Sequence, residues 1–105
     1  MSATTKSMEA LTNTMTVTEI RGFISRLMVK ADDVKRQKEL ISMISREAVI
    51  KRKGAEYSHA RKEEQDDLDR VVCMLDNELV NTREAIRVVK AIYQRRAAQL
   101  ALSVV

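Results

Sequence analysis

The chain has 105 residues, with no Pro, two Gly, one Cys, no Trp, 3 % aromatics and 32 % charged residues at a net charge of +4. One domain with one core fits that length. A disulfide framework is excluded by the single Cys73, and a sheet has little support because β-branched residues do not alternate.

Met1 to Met15 is rich in Ser and Thr and lacks both the apolar stretch of a secretory signal and the arginines of a mitochondrial presequence. It is expected to be a flexible arm, residues 1–15, ahead of one helical-bundle domain, 16–105. No run of roughly 18 apolar residues follows it, so no membrane span is expected. A cytosolic location fits the lone cysteine.

Thr16-Val17-Thr18-Glu19 has the form of a capping box, in which Thr16 accepts from a free amide and Glu19 reaches back. Behind it, Val17, Ile20, Ile24, Leu27, Ala31, Val34, Ile41, Ile44 and Ala48 recur at steps of three and four, with one gap near Lys38. That spacing makes one helical face. Lys51-Arg52-Lys53 complements the helix dipole, and Gly54 suits a left-handed cap. A first helix over about 17–53 follows. A helix of that length needs a partner along it, because propensity alone does not hold it.

The second helix is expected from about 56 to 80. Its polar first half, Arg61 to Asp67, gives way to a seam at Leu68, Val72, Leu75 and Leu79. Asn81-Thr82-Arg83-Glu84 reads as another capping box and would open a third helix, about 82–102, with Ile86, Val89, Tyr93, Ala97 and Leu100 on its seam. The expected fold is therefore all-α, an antiparallel three-helix bundle with long helices. The alternative is a two-helix antiparallel coiled-coil hairpin. Positions 68, 72, 75, 79, 82, 86, 89 and 93 keep heptad spacing straight through Thr82, which supports an unbroken helix.

Charge comes in blocks. Residues 18–53 carry ten Lys/Arg and five Asp/Glu, residues 54–82 three and eight, and residues 83–105 five and one. Oppositely charged helices favour folding back on each other.

Catalytic chemistry has no evident seat. His59 stands alone and suits a surface position, so neither a metal nor a cofactor is expected. Cys73, between Val72 and Met74, fits a core thiol and lacks a nearby base. Glu63, Glu64, Asp66, Asp67 and Asp69 look like a solvated helix face, and no glycine-rich phosphate loop exists. Nucleic acid is not an expected partner, because acids interrupt the basic residues and stacking aromatics are missing. A membrane surface is not one either, since Phe23 is the only aromatic on the basic helix.

Gly22-Phe23-Ile24-Ser25-Arg26-Leu27, then Gly54-Ala55-Glu56-Tyr57 ahead of Arg61-Lys62-Glu63-Glu64, and the apolar close Ala97-Ala98-Gln99-Leu100-Ala101-Leu102 resemble the tubulin-binding cofactor A (tubulin-specific chaperone A) family. The sequence departs from that family at Val29-Lys30, where Lys-Glu is usual, and lacks a proline midway along the second helix. The resemblance implies a small cytoplasmic, cytoskeleton-associated chaperone that binds β-tubulin without chemistry after its release from the chaperonin. The partner-binding residues it implies, with outward-facing neighbours, are Arg26, Met28, Lys30, Tyr57, Arg61, Lys62, Glu63 and Glu64. A monomer or weak homodimer is expected. A self-associating coiled-coil adaptor or scaffold with no tubulin role is the alternative.

Overall fold

The structure, a computed structural model, describes residues 3–52 and 59–104, with side chains described over 3–44 and 63–103. It is all-α. Helix α1 spans Ala3–Thr12, α2 spans Val17–Arg52 and α3 spans His59–Val104. Helices α2 and α3 pack together and run antiparallel.

Three helices are present among the described residues, but one is not where the sequence placed it. The expected flexible arm contains α1, and the break expected at Asn81-Thr82 does not occur. The reason lies in the seam. Thr82 is 5 % exposed and sits between buried Leu79 and buried Ala85. As a helix cap it would leave the heptad line and take that burial with it. Leu68, Val72, Leu75, Leu79, Thr82, Ile86, Val89 and Tyr93 are all buried or half-buried, so the continuous register prevails over the local capping signal. The expected cap at Gly54 and helix start at 55–57 lie outside the described residues.

The chain divides into two compact units. The first joins 1–31 to 80–105, and the second comprises 32–79. In the first unit, Ile20 and Ile24 of α2 and Val88, Val89 and Ile92 of α3 form the core, with Met8, Met15, Phe23, Leu27 and Tyr93 packed against it. Ile20 and Val89 are fully buried. Helix α1 supplies Met8, and the connection to α2 supplies Met15. This is why a polar segment orders: two apolar side chains, at a sequence spacing too sparse to read as a seam, cover the end of the core.

The start of α2 follows the sequence. Thr16 Oγ1 accepts from the Glu19 amide at 3.2 Å, and the Ile20 amide reaches the Thr16 carbonyl at 3.0 Å. Glu19 differs from the ideal box in one respect. Its carboxylate takes the Thr16 hydroxyl, at 3.2 Å, rather than the Thr16 amide.

The second unit is thinly cored. Among its described residues only Val34 and Leu79 are buried. A Lys38–Asp76 ion pair at 2.5 Å joins the two helices. Three positions depart from expectation: Ile44 and Leu100, read as seam, are exposed, and Cys73, read as a core thiol, is exposed as well.

Candidate interaction surfaces

In the first unit the most elaborate polar arrangement surrounds Arg96. Its guanidinium donates to the Thr12 carbonyl at 3.0 Å and to the Met15 carbonyl at 2.6 Å. Those carbonyls belong to the C-terminal end of α1 and the turn after it, where a helix leaves acceptors unsatisfied and its dipole favours a cation. Thr12 itself is 1 % exposed, and its hydroxyl donates back to the Met8 carbonyl at 2.7 Å. The planar fork of Arg suits two carbonyls at once, which a lysine would not match.

Open clefts of about 330 Å³ and 570 Å³ flank this arginine. The smaller is bordered by Glu9, Asn13 and Arg95, and the larger by Thr16, Val17 and Leu100. Neither brings a nucleophile next to a base, and the fork of Arg96 is occupied by backbone. The arrangement fastens α1. Among the described residues, no group of three His, Cys, Asp or Glu is placed to hold a metal ion.

The eight partner-binding residues read from the sequence do not assemble into one site. Arg26, Met28 and Lys30 lie on α2 in the first unit, all exposed. Arg26 and Lys30 stand one turn apart, while Met28 points to another side of the helix. The Arg26 guanidinium lies 5.9 Å from the Phe23 ring centre, close enough for a weak cation–π contact. Glu63 and Glu64 lie on α3 in the second unit and are exposed. Tyr57 and the side chains of Arg61 and Lys62 fall outside the described residues.

A different surface emerges in the second unit. Leu40, Met43 and Ile44 of α2 are exposed, and so are Val71 and Met74 of α3, with Leu40 at 60 % and Met74 at 69 %. Each helical residue turns about 100° from the last. Measured from the buried direction marked by Val34, Leu40 and Ile44 are turned about 80–120° backward along the helical wheel. Measured from Leu79, Val71 and Met74 are turned about 80–140° in that same sense. Because the two helices run antiparallel, these rotations bring both groups to one broad side of the hairpin, with Met43 at its outer edge.

The ion pair fixes the level of each residue. Leu40 follows Lys38 by two and Met74 precedes Asp76 by two, so these residues are level, and counting on, Met43 is level with Val71. Lys38 and Asp76 are themselves turned the other way and meet on the opposite side. There, Lys35, Glu39, Asp66 and Asp69 are charged and exposed. The first side thus carries the five apolar residues among exposed Asp33, Asp67 and Glu78, and the opposite side is the more charged. A shallow cleft of about 340 Å³ bordered by Glu64, Asp67, Leu68 and Val71 extends the apolar side along α3. The signal was present in the sequence as a second apolar stripe, 40-43-44 on α2 and 71-74 on α3, displaced from the seam. The run Ile41–Ile44 obscures it, because the three-and-four spacing of the seam also takes in Ile44.

No helix among the described residues is long and apolar enough to cross a membrane. No known protein family, curated protein or solved structure matches this chain.

Proposed function

We propose that this protein is a non-enzymatic helical adaptor that works by binding other protein helices through the apolar side of its 32–79 hairpin. The supporting observation is the set Leu40, Met43, Ile44, Val71 and Met74, which the chain's own fold leaves uncovered around a core with few buried residues. A two-helix hairpin cannot bury more than one seam by itself, whereas a bundle of three or four helices can. Contiguous apolar surface rimmed by charge is characteristic of interaction sites. The unbroken α3 is what a coiled-coil adaptor requires. The test is affinity capture of the full chain from its native cell extract beside a Leu40→Lys variant. Proteins retained in proportion to the wild-type chain and lost with the variant support the reading; an identical retained set for both chains sinks it.

A second reading is β-tubulin binding, as a cytoplasmic chaperone in tubulin folding. It draws on the resemblance of Gly22–Leu27 and on the ten Lys/Arg against five Asp/Glu in residues 18–53, which suit an acidic partner. Arg26, Met28 and Lys30 would be its contacts on the first unit. Purified tubulin passed over the immobilised chain at rising salt decides it. Retention at low salt that falls as salt rises is expected for this mode. No retention at low salt removes it and leaves the adaptor reading standing.

A further inference from the structure

We propose that the occupant of the apolar side is a basic amphipathic helix of another protein, lying along the hairpin with its cationic residues over the carboxylates at the two ends of this side. This rests on the adaptor reading above and names the chemistry of its partner. The choice comes from the charges on this side itself and from their spacing.

On the helical wheel, Asp33 is turned about 100° backward from Val34, and Glu78 and Asp67 about 100–120° backward from Leu79. All three are exposed, and they share the rotation of Leu40, Val71 and Met74. Glu64, turned about 60° in the same sense, borders the shallow cleft with Asp67, Leu68 and Val71. The described basic residues nearest this side stand farther out: Arg36 is turned about 160° from Val34, and Arg70 about 180° from Leu79. Arg70 lies 3.6 Å from Asp67, an exposed contact of a kind that contributes little and is screened by salt.

The spacing defines what fits. Glu78 follows Asp67 by eleven residues, three turns of α3 and about 17 Å, with Val71 and Met74 between them. Carboxylates therefore stand at both ends of the apolar strip. A helix returns to the same face after three turns, so cationic residues eleven apart with apolar residues between them match both ends at once. Such a helix would complete a three-helix bundle over the thin core of Val34 and Leu79. At the cleft, the stem of a Lys or Arg can lie on Leu68 and Val71 while its cation reaches Glu64 and Asp67. An extended peptide would leave its backbone groups unpaired against apolar side chains, because the described residues offer no strand edge. A second copy would bring this side's own carboxylates to it, and like charges across an interface are costly.

The experiment is fluorescence anisotropy on the full chain with two labelled peptides of about 16 residues, each an alanine-rich helix with leucines along one face. One carries lysines at both ends of the leucine face, and the other carries glutamates there. At low salt the lysine-ended peptide is expected to bind with a Kd below about 100 µM, and the glutamate-ended peptide at least about tenfold more weakly. Leu40→Lys and Met74→Lys are each expected to weaken the lysine-ended peptide at least about tenfold. Asp67→Lys combined with Glu78→Lys is expected to reverse the preference, so that the glutamate-ended peptide binds better. Asp69→Lys, on the opposite side, is expected to keep the wild-type preference. All the substituted residues are exposed, so circular dichroism is expected to show unchanged helicity.

Four results would overturn the proposal: no binding of the lysine-ended peptide, equal binding of both peptides, a loss with Asp69→Lys that matches the combined variant, or a wild type that dimerises through Leu40 in sedimentation equilibrium. Cellular proteins still lost with Leu40→Lys, from a chain with no preference for the lysine-ended peptide, would overturn the basic helix alone and leave the adaptor reading intact. An identical captured set for wild type and variant, together with no peptide binding, would remove both.

Discussion

Arg96 is the residue on which the placement of α1 turns. It ties the end of α1 and the turn before α2 to α3 through two charge-assisted hydrogen bonds. Bonds of this kind contribute about 1.5–3 kcal/mol each when measured by deletion. Arg96→Ala should therefore lower stability by roughly 2 kcal/mol or more, with amide exchange in residues 3–12 accelerating before that in α2. Arg96→Lys should recover only part of it, because an ammonium cannot span both carbonyls in one plane. Equal exchange in α1 for wild type and Arg96→Ala would show that Met8 and Met15 alone hold the helix.

Elsewhere on α3, Arg87 donates twice to Glu84, at 2.6 and 3.1 Å, and these hydrogen bonds hold the Glu84 carboxyl below its ordinary value. The sign follows from linkage: a carboxyl lowered on folding adds stability above its unfolded pKa and loses it as pH falls through the lower folded value. Carboxyl NMR titration should find Glu84 below the ordinary glutamate range, and Arg87→Gln should bring it back up.

At the scale of the element, α2 and α3 differ in how they tolerate change. Gly22 lies inside α2 and is half-buried, yet a β-carbon there would approach nothing closer than Arg26 Nη1, at 3.8 Å. Space is available, so Gly22→Ala should raise stability by about 0.5–1 kcal/mol through the lost freedom of the unfolded chain. Thermal unfolding reads this directly, and a lowered melting temperature would mean that α2 needs its glycine. Helix α3 offers the opposite test at Asn81, which is exposed but mid-helix. A proline there removes a backbone bond and clashes with the preceding turn, costing about 3 kcal/mol or more. Asn81→Pro should therefore be strongly destabilising in denaturant titration. A cost below about 1 kcal/mol would mean that a helix end is accommodated at that point after all.

For the whole molecule, the two units should differ in local stability. The unit built from 1–31 and 80–105 encloses the Ile20–Val89 core; the unit of 32–79 has Val34 and Leu79 as its buried apolar residues among those described. Opening free energy follows buried apolar contact. Amides around Ile20, Ile24, Val88 and Ile92 should exchange slowest, and those of residues 36–44 and 68–76 faster. If the apolar side is covered by a basic helix, adding the lysine-ended peptide should slow exchange in the latter set and leave the former unchanged. Exchange unaltered by the peptide throughout would leave the weak unit uncovered.

Much of this was legible without coordinates. The absence of Pro, the three-and-four spacing from Val17 to Val34 and the Thr16 cap are local properties of a helix, so the sequence by itself determined that the chain is all-α and where α2 begins. The unbroken heptad line from Leu68 to Tyr93 also foretold α3, although Asn81-Thr82 offered a competing local signal. Tertiary packing settled that competition, because Thr82 gains more from burial on the seam than from capping a helix. Packing likewise decided that the Ser/Thr-rich start folds, since its order depends on Met8, Met15 and the distant Arg96. It also separated Ile44 from Ile41 and turned Cys73 outward. Which of two adjacent apolar residues faces inward depends on where the opposing helix lies, and that becomes defined only once the chain has folded back on itself.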